Sequence, residues 1–585
     1  MPDPQNQRFS AAQALACFCL TLAADLVLGA SQRKTLAEGS LLNPDSYMRL
    51  VRLEDILRQH APLHVVARDS SGSGTLLHWS HLLDSLLLLL AAPVAPFLDA
   101  HAALHAAGLA LGPLSVGLLG VALAWAGAPI SDRGWRWTAA LCGAMTPAVV
   151  GYAIPGVIHH HILAALAAVM CAGWALRAGP QGLRTGWMLG LWAAFGVWLT
   201  PEVMPIALLA FGAVGLGWLL RPQQPQWGKA WAAAGTSLAI ATGLALLVDP
   251  PADGRLSLEI DRLSFAWFAM ALLCAVIGWS LFGLDRLRLT PRRRSLLGAA
   301  VALVCAGLWL VLCPAVLGGP EGVLNGEHTH AFDGIAEMAP ITTLRDAGIY
   351  LLPGVFGAVF AAGQAVRWRG QGRWDVSCGW AYAALCITLL LVLGVQHRRF
   401  TTYPDCAGAV LVPVAITAIN RRFDETRQTL AATCRVLLLA GLLLGPVVAY
   451  RSFPEPATAA AKPCDLGAAI PLLTPFPGQV VLADVNDTPE ILYRTGLLTV
   501  GSLYHHDPAG YLRLRAAWES NPDGPVPPEV KATRASMILV CRNARRTVSG
   551  VTHDTLWDSL IRGTPPAWLR VVSHSGDYTL YQIIG

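Results

Sequence analysis

Charge is what this sequence has least of. Aspartate, glutamate, lysine and arginine make up 14% of its 585 residues, where ordinary globular domains carry about 25%. Over this length the deficit excludes a soluble enzyme as a whole. It excludes disorder, collagen and coiled coil as well, since each has a composition not found here. There is no C-x-x-C pair, and the 13 cysteines are scattered, mostly inside apolar runs. They indicate neither a metal cluster nor a dense disulfide framework. A net charge of +5 is too mild for a nucleic-acid partner. No internal repeat is visible. What the chain has in plenty is apolar character: 54% hydrophobic residues and a mean hydropathy of +0.49. It reads as a polytopic α-helical membrane protein whose first partner is the lipid bilayer.

Hydrophobic runs recur from Ala11 to Tyr450 and then stop. Spans are expected near 11–30, 105–127, 137–154, 160–177, 185–200, 203–220, 230–248, 265–284, 296–317, 346–366, 376–395, 405–420 and 429–450, about 13 in all. The connections between them alternate. One set is basic: Arg133/Arg136, Arg177/Arg184, Arg221/Lys229, Arg286 to Arg294, Arg367/Arg369/Arg373 and Arg421/Arg422/Arg427. The other is longer and mixed in charge. By the positive-inside rule the basic set is cytoplasmic, which puts the N-terminus inside and the C-terminal part outside. A cleavable signal peptide ending between Ala23 and Ala30 is the competing reading of residues 1–30 and would leave one span fewer.

The run Leu76-Leu-His-Trp-Ser-His-Leu-Leu-Asp-Ser-Leu-Leu-Leu-Leu-Leu carries His78, His81 and Asp84. As a span it would invert every later connection, so it is expected to be an amphipathic helix on the outer surface. The first outer loop, 31–104, is then itself structured. After a transmembrane domain of residues 1–450, the alternating runs Gln479–Ala483 and Met537–Cys541 read as half-buried strands. They place a small soluble α/β domain at 451–585. Cys464 and Cys541 both lie in it, a candidate disulfide on an oxidising side that no spacing rule pairs.

Ionisable residues at span ends and outer loops are the candidates for chemistry. Asp45, in Asn43-Pro-Asp45-Ser-Tyr47-Met-Arg49, opens a helix beyond the first span, and a plain N-cap is its ordinary reading. His159, His160 and His161 follow a Pro-Gly turn at the start of the fourth span. Residues i and i+2 there can face one cleft, and neutral imidazoles suit a divalent metal. Glu337 lies in the outer loop of about 318–345 with Glu327, His328 and His330, where the ordinary reading is a solvated loop. Arg398 and Arg399 in His397-Arg-Arg-Phe-Thr-Thr-Tyr403 oppose the positive-inside bias. They fit an anionic ligand, since guanidinium matches phosphate bidentately; a lipid headgroup or a nearby carboxylate is the plainer partner. Asp25 and Glu202 are lesser candidates for the same cavity.

In order and position these features resemble the catalytic subunit of oligosaccharyltransferase, of the GT-C class of membrane glycosyltransferases. Asp45-Ser-Tyr-Met-Arg49 is similar to the acid and helix of that family's first outer loop. Gly156-Val-Ile-His159-His-His161 stands where its second motif, G-x-x-D-x-D/E/H, opens the fourth span. Gly334-Ile-Ala-Glu337 looks like its S-V-S-E or T-I-x-E motif, and Arg399-Phe-Thr-Thr-Tyr403 like its R-F-x-x-Y stretch. Two departures stand out. His159 replaces an aspartate. The W-W-D-Y-G motif that reads the acceptor sequon is missing, its place taken by Leu482-Ala-Asp484-Val-Asn486-Asp487-Thr, so asparagine glycosylation of proteins is not expected.

The resemblance implies a GT-C fold and an inverting transfer of a sugar or oligosaccharide. The donor would be a polyprenyl-(di)phosphate carrier and the acceptor a periplasmic glycan, lipid or protein. Asp45 and Glu337 would be catalytic. Asp45, His159 and His161 would hold a divalent metal, Mn2+ or Mg2+. Arg399, Arg398, Tyr403 and Arg49 would contact the donor, with Glu202, His160, Asp484 and Asp487 as possible additions. Two other readings stay open: a metal-free GT-C transferase using a polyprenyl monophosphate sugar, with Asp45 as base, and a lipid-linked glycan transporter or flippase. High Ala, Leu, Gly, Arg and Trp content suits a GC-rich bacterium, hence its inner membrane with the C-terminal domain in the periplasm.

Overall fold

The computed structural model describes residues 9–287, 289–323, 335–423, 427–453, 464–506, 508–544 and 554–584. Glu327, His328 and His330 lie outside these residues.

In hydrocarbon every backbone polar group must be bonded within its own segment, so apolar runs become helices. Among the described residues nine helices are long and apolar enough to cross a membrane. The pair Leu344–Tyr350 and Leu352–Gly370, bent by 74°, makes a tenth. Helices stand at every expected span, but length and composition alone do not reach thirteen. The segment 137–154 is two short helices, Trp137–Ala144 and Pro147–Ala153. Pro147 cannot continue the first, and Thr146 caps the second by accepting from the Val149 N–H. His161–Ala175 has 15 residues. Ala178–Leu199 is broken at Gly182, whose φ is +39°.

The first helix, Ala11–Gly29, packs along Ala100–Gly127. A Cβ at Gly117 would come within 2.5 Å of the Phe18 ring, and one at Gly120 within 2.5 Å of Thr21, so this contact requires glycine. The leucine-rich run after His81 forms the helix His81–Ala91 of 11 residues. That is about 16 Å, half of a bilayer core. It buries Leu83, Leu87 and Ala91 and lies against Ala100–Gly127.

The long loop after the first helix is ordered. It holds the helix Pro44–Gln59, the short antiparallel strands β1 (Val65–Val66) and β2 (Thr75–Leu76), and the helix His81–Ala91. It docks on the C-terminal domain. Asp69 is fully buried and accepts from the hydroxyls of Thr75 (2.8 Å), Thr499 (2.8 Å) and Ser502. Arg68 donates to the carbonyls of Leu492 and Thr495 at 2.5 and 2.8 Å, and Ser71 to that of Thr533 at 2.7 Å.

The C-terminal domain is a five-stranded sheet in the order β4 (Leu498–Thr499), β3 (Val480–Leu482), β5 (Met537–Cys541), β7 (Tyr578–Ile583), β6 (Leu569–Ser575). The first three run parallel and the last two pair antiparallel. Every residue of the central strand β5 is buried, because helices such as Ala509–Glu519 and Leu556–Ile561 cover the sheet. Cys464 and Cys541 are disulfide-bonded, with Cα atoms 6.3 Å apart.

Candidate active site

A cavity of about 1280 Å³ lies between the first long loop, the span ends and the C-terminal domain. Its lining comes from the connections 31–104, 154–160, 200–203, 248–265, 317–346 and 395–405, from the adjoining helix ends, and from the C-terminal domain. None comes from the basic connections. Those meet one another instead: Arg221 pairs with Asp375 at 3.5 Å and Arg421 with Asp132 at 3.7 Å. The mixed-charge connections thus gather round the cavity and the basic ones do not.

Asp45 is the second residue of the helix Pro44–Gln59. Asn43, not Asp45, is the N-cap, its side chain accepting from the Asp45 N–H at 2.8 Å. The Asp45 carboxylate is thereby left for the cavity. Its Oδ1 accepts from the Tyr504 hydroxyl at 2.8 Å, and its Oδ2 lies 3.3 Å from Nε2 of His159. Burial and then the charge of Asp45 push the Tyr504 hydroxyl well above its ordinary range, so it remains a donor.

The histidines follow from a glycine. Gly156 has φ +91°, and a Cβ there would meet Leu36 at 2.4 Å. The turn it makes ends with the Ile158 N–H donating to the Ser46 hydroxyl at 2.8 Å, which fixes His159 beside Asp45. The rings of His159 and His161 stack with centroids 5.0 Å apart. Nε2 of His161 is 3.7 Å from Oε2 of Glu337, which also accepts from Tyr152 at 2.9 Å. Burial raises the Glu337 carboxyl, but His161, His159 and Arg399 more than offset it and hold the group below the usual carboxylate range.

Arg399 reaches the same wall. Its backbone N–H donates to the Glu337 carbonyl at 2.9 Å, and its guanidinium pairs with Glu202 at 2.5 Å. Arg398 lies 3.7 Å from Asp346 and over the Tyr350 ring. Both arginines line the cavity with nearby carboxylates as partners, the plainer of the sequence readings, and the Nε of each makes no hydrogen bond among the described residues.

Not every candidate reaches the cavity in the same way. Arg49 lines it, but its guanidinium is engaged by Asp84 at 2.9 Å and by the Trp79 ring at 4.4 Å. Asp84 also binds Arg52 at 2.6 Å. His160 and Glu202 line it and, with His161, form a second possible ligand group. Tyr403 is buried behind the lining. Asp25 is buried in the first helix, outside the lining, so it does not share the cavity with Glu202. Asp484 and Asp487 lie behind the lining residues Val485 and Asn486. Asp484 accepts from the Asn486 N–H and Asp487 from the Tyr578 hydroxyl.

Tyr504, Trp79 and Tyr152 were not legible as site residues. Tyr504 lies far along the chain from Asp45, and no spacing rule links them. The run 76–90 drew attention through its histidines and Asp84, whereas Trp79 is what packs edge-on against Tyr504, centroids 5.1 Å apart.

No protein-family model matches the chain, and no characterised protein matches it by sequence. Solved structures do. The apo oligosaccharyltransferase of Archaeoglobus fulgidus matches with a TM-score of 0.68 at 12% identity, over 91% of this chain and 70% of that one. The chain has the GT-C fold. The oligosaccharyltransferase AglB of the same organism, with an inhibitory peptide and a dolichol-phosphate, matches with a TM-score of 0.65 at 13% identity, over 86% of this chain and 66% of that one. Its complex with zinc and sulfate matches with a TM-score of 0.59 at 12% identity, over 86% and 64%. The chain thus spans about two thirds of the length of these structures. With at least nine apolar helices among the described residues, it is a multi-pass membrane protein.

A divalent metal fits the histidine wall. Ligand atoms of His159, His161 and Glu337 lie within 4.8 Å of one another. Nδ1 of His159 is buried with no hydrogen bond among the described residues, and Nε2 of His159 and of His161 meet only the carboxylates of Asp45 and Glu337, at 3.3 and 3.7 Å. Such orphaned imidazole nitrogens are costly unless something occupies their lone pairs. This trio contains Glu337, a possible addition to the ligand set of Asp45, His159 and His161, while Asp45 lies 3.3 Å from His159.

Proposed function

We propose that this protein transfers a sugar or oligosaccharide from a polyprenyl-(di)phosphate carrier to an acceptor outside the cytoplasmic membrane of a bacterium. The observation that carries the reading is the juxtaposition, in one cavity, of Asp45, the His159–His161–Glu337 group and Arg399. The solved oligosaccharyltransferase of like fold is bound to a dolichol-phosphate and an inhibitory peptide, which supports a lipid-linked donor here.

The reaction breaks the bond between the anomeric carbon and the phosphate oxygen and forms one to the acceptor heteroatom. The acceptor's proton goes to Asp45, whose Oδ1 is steadied by Tyr504. The negative charge left on the lipid phosphate is met by Arg399 and Arg398, whose guanidinia offer donors beyond those engaged by Glu202 and Asp346. His159, His161 and Glu337 would hold a divalent ion, which when bound supplies further charge neutralisation at the phosphate. Tyr152 keeps the Glu337 carboxylate turned towards His161. The Asp484–Asp487 stretch stands where a sequon-reading surface would be, so the acceptor is a glycan or lipid in preference to a protein sequon.

The test is sugar transfer in washed membranes from a labelled polyprenyl-linked sugar pool. Asp45→Asn and His161→Ala should both abolish transfer, and EDTA should do so until manganese is restored. If only Asp45→Asn is inactive and EDTA has no effect, the chain is a metal-free GT-C transferase. If both folded variants transfer normally, this site is not catalytic and a transporter must be considered instead.

A further inference from the structure

Another cluster of imidazoles adjoins the cavity, next in sequence to Trp79 and Tyr504. His78 comes from the first long loop, Asp261 from the connection after Val248, and His505 and His506 from the C-terminal domain. Each offers one ligand atom, and the four atoms lie within 4.8 Å of one another. Nε2 of His505 and Nε2 of His506 both face Oδ2 of Asp261, at 2.8 and 2.6 Å. The His78 ring lies 4.7 Å from that of His505 and stacks on that of His506 at 5.1 Å. Nδ1 of His78 and Oδ1 of Asp261 are buried and make no hydrogen bond among the described residues.

Two imidazoles crowded on one oxygen of one carboxylate, with a third stacked beside them, waste polar capacity. The other oxygen is dry, and so is a ring nitrogen of His78. The same four groups are a well-matched donor set for a tetrahedral cation. Zinc takes histidine nitrogen and carboxylate oxygen at about 2.0–2.2 Å, which places such donors about 3.3 Å apart, within the spread found here. Nδ1 of His506 faces the Glu259 carboxylate at 3.9 Å, on the side where ligating histidines commonly have an outer carboxylate.

We propose that His78, Asp261, His505 and His506 bind a zinc ion that fastens the C-terminal domain to the membrane domain. Four protein ligands fill a tetrahedral shell, so the site is a closed, structural one. It shares no residue with the His159–His161–Glu337 group and stands independently of the transferase reading. Its effect on the cavity runs through neighbours in sequence. His505 follows Tyr504 and His78 precedes Trp79, so the ion seats the Tyr504–Trp79 pair, and with it the hydroxyl on Asp45.

The experiment uses the purified full-length protein, stripped with chelator, reloaded with zinc and desalted. The background is His159→Ala/His161→Ala, which removes the other histidine group. One zinc per chain should remain, counted by elemental analysis, and cobalt loading should give the visible absorption of a tetrahedral site. Adding His78→Gln or Asp261→Asn, each close in size to the native residue, should weaken zinc about tenfold or more and bleach the cobalt bands. Gel-filtration elution and far-UV circular dichroism identify which of the two variants is folded. A background chain that binds no zinc overturns the proposal. So do folded His78→Gln and Asp261→Asn chains that keep it.

Discussion

The hydroxyl of Tyr504 donates to Oδ1 of Asp45 at 2.8 Å across 459 positions of sequence. The C-terminal domain is therefore part of the candidate active site and not merely a cover over it. Tyr504→Phe removes that hydrogen and keeps the ring on Trp79. A hydrogen bond to a charged group is worth about 1.5–3 kcal/mol, so sugar transfer should fall about 10–100-fold with little change in thermal stability. Initial rates over a range of donor concentration, set beside a melting curve, check both halves.

Gly156 sets the histidine wall. At φ +91°, with Leu36 2.4 Å from where a Cβ would stand, Gly156→Ala should cost at least about 1–2 kcal/mol. It should also displace His159 from Asp45. Thermal unfolding in detergent reads the first effect, and loss of transfer in the folded fraction reads the second. A variant with wild-type melting and transfer would show that the turn does not constrain the histidines.

Asp487 should make stability depend on pH. Burial, then the charge of Asp484, raises its carboxyl to about 8. An unfolded aspartate titrates near about 3.9. The native state therefore holds a proton that the unfolded state has lost. The contribution to stability is complete below about pH 4 and is lost as pH rises through about 8. The melting temperature should fall between pH 6 and pH 9, and Asp487→Asn should flatten that slope. An unchanged slope in Asp487→Asn would assign the dependence to other groups.

The disulfide joins Cys464, ahead of the sheet, to Cys541 at the end of its central strand. Removing such a bond from a small domain costs about 2–5 kcal/mol. Cys464→Ser/Cys541→Ser should lower the melting temperature, and reductant should bring the wild type to the same value. Reductant should leave the double variant unmoved.

The membrane helices were legible because hydrocarbon admits so few backbone solutions. An exception lies at Thr146, whose neighbours read as continuous apolar chain although a second helix starts there. His159, His161 and Arg399 could be named in advance because each departs from ordinary membrane sequence, whereas Asp45 and Glu337 gained weight only from the order of motifs that resembles oligosaccharyltransferase. Their partners could not be named. Tyr152 and Trp79 look like ordinary interfacial aromatics, and Tyr504 like a domain-core tyrosine. Only the fold shows that Asp84 neutralises Arg49, or that Glu202 already holds Arg399. Pairing over hundreds of residues leaves no periodicity to read.

The buried Asp69 carries a consequence for synthesis. The first long loop is made more than 400 residues before Thr499 and Ser502. Until they arrive, its carboxylate has only the local donors Thr75 and Ser70, and dehydration of the loop would be uphill. The loop's final closure and the domain's docking are thus one cooperative event. A chain halted at the end of the last helix would lack the wall that Val485, Asn486 and Tyr504 supply, so the cavity is completed only once the C-terminal domain has been made.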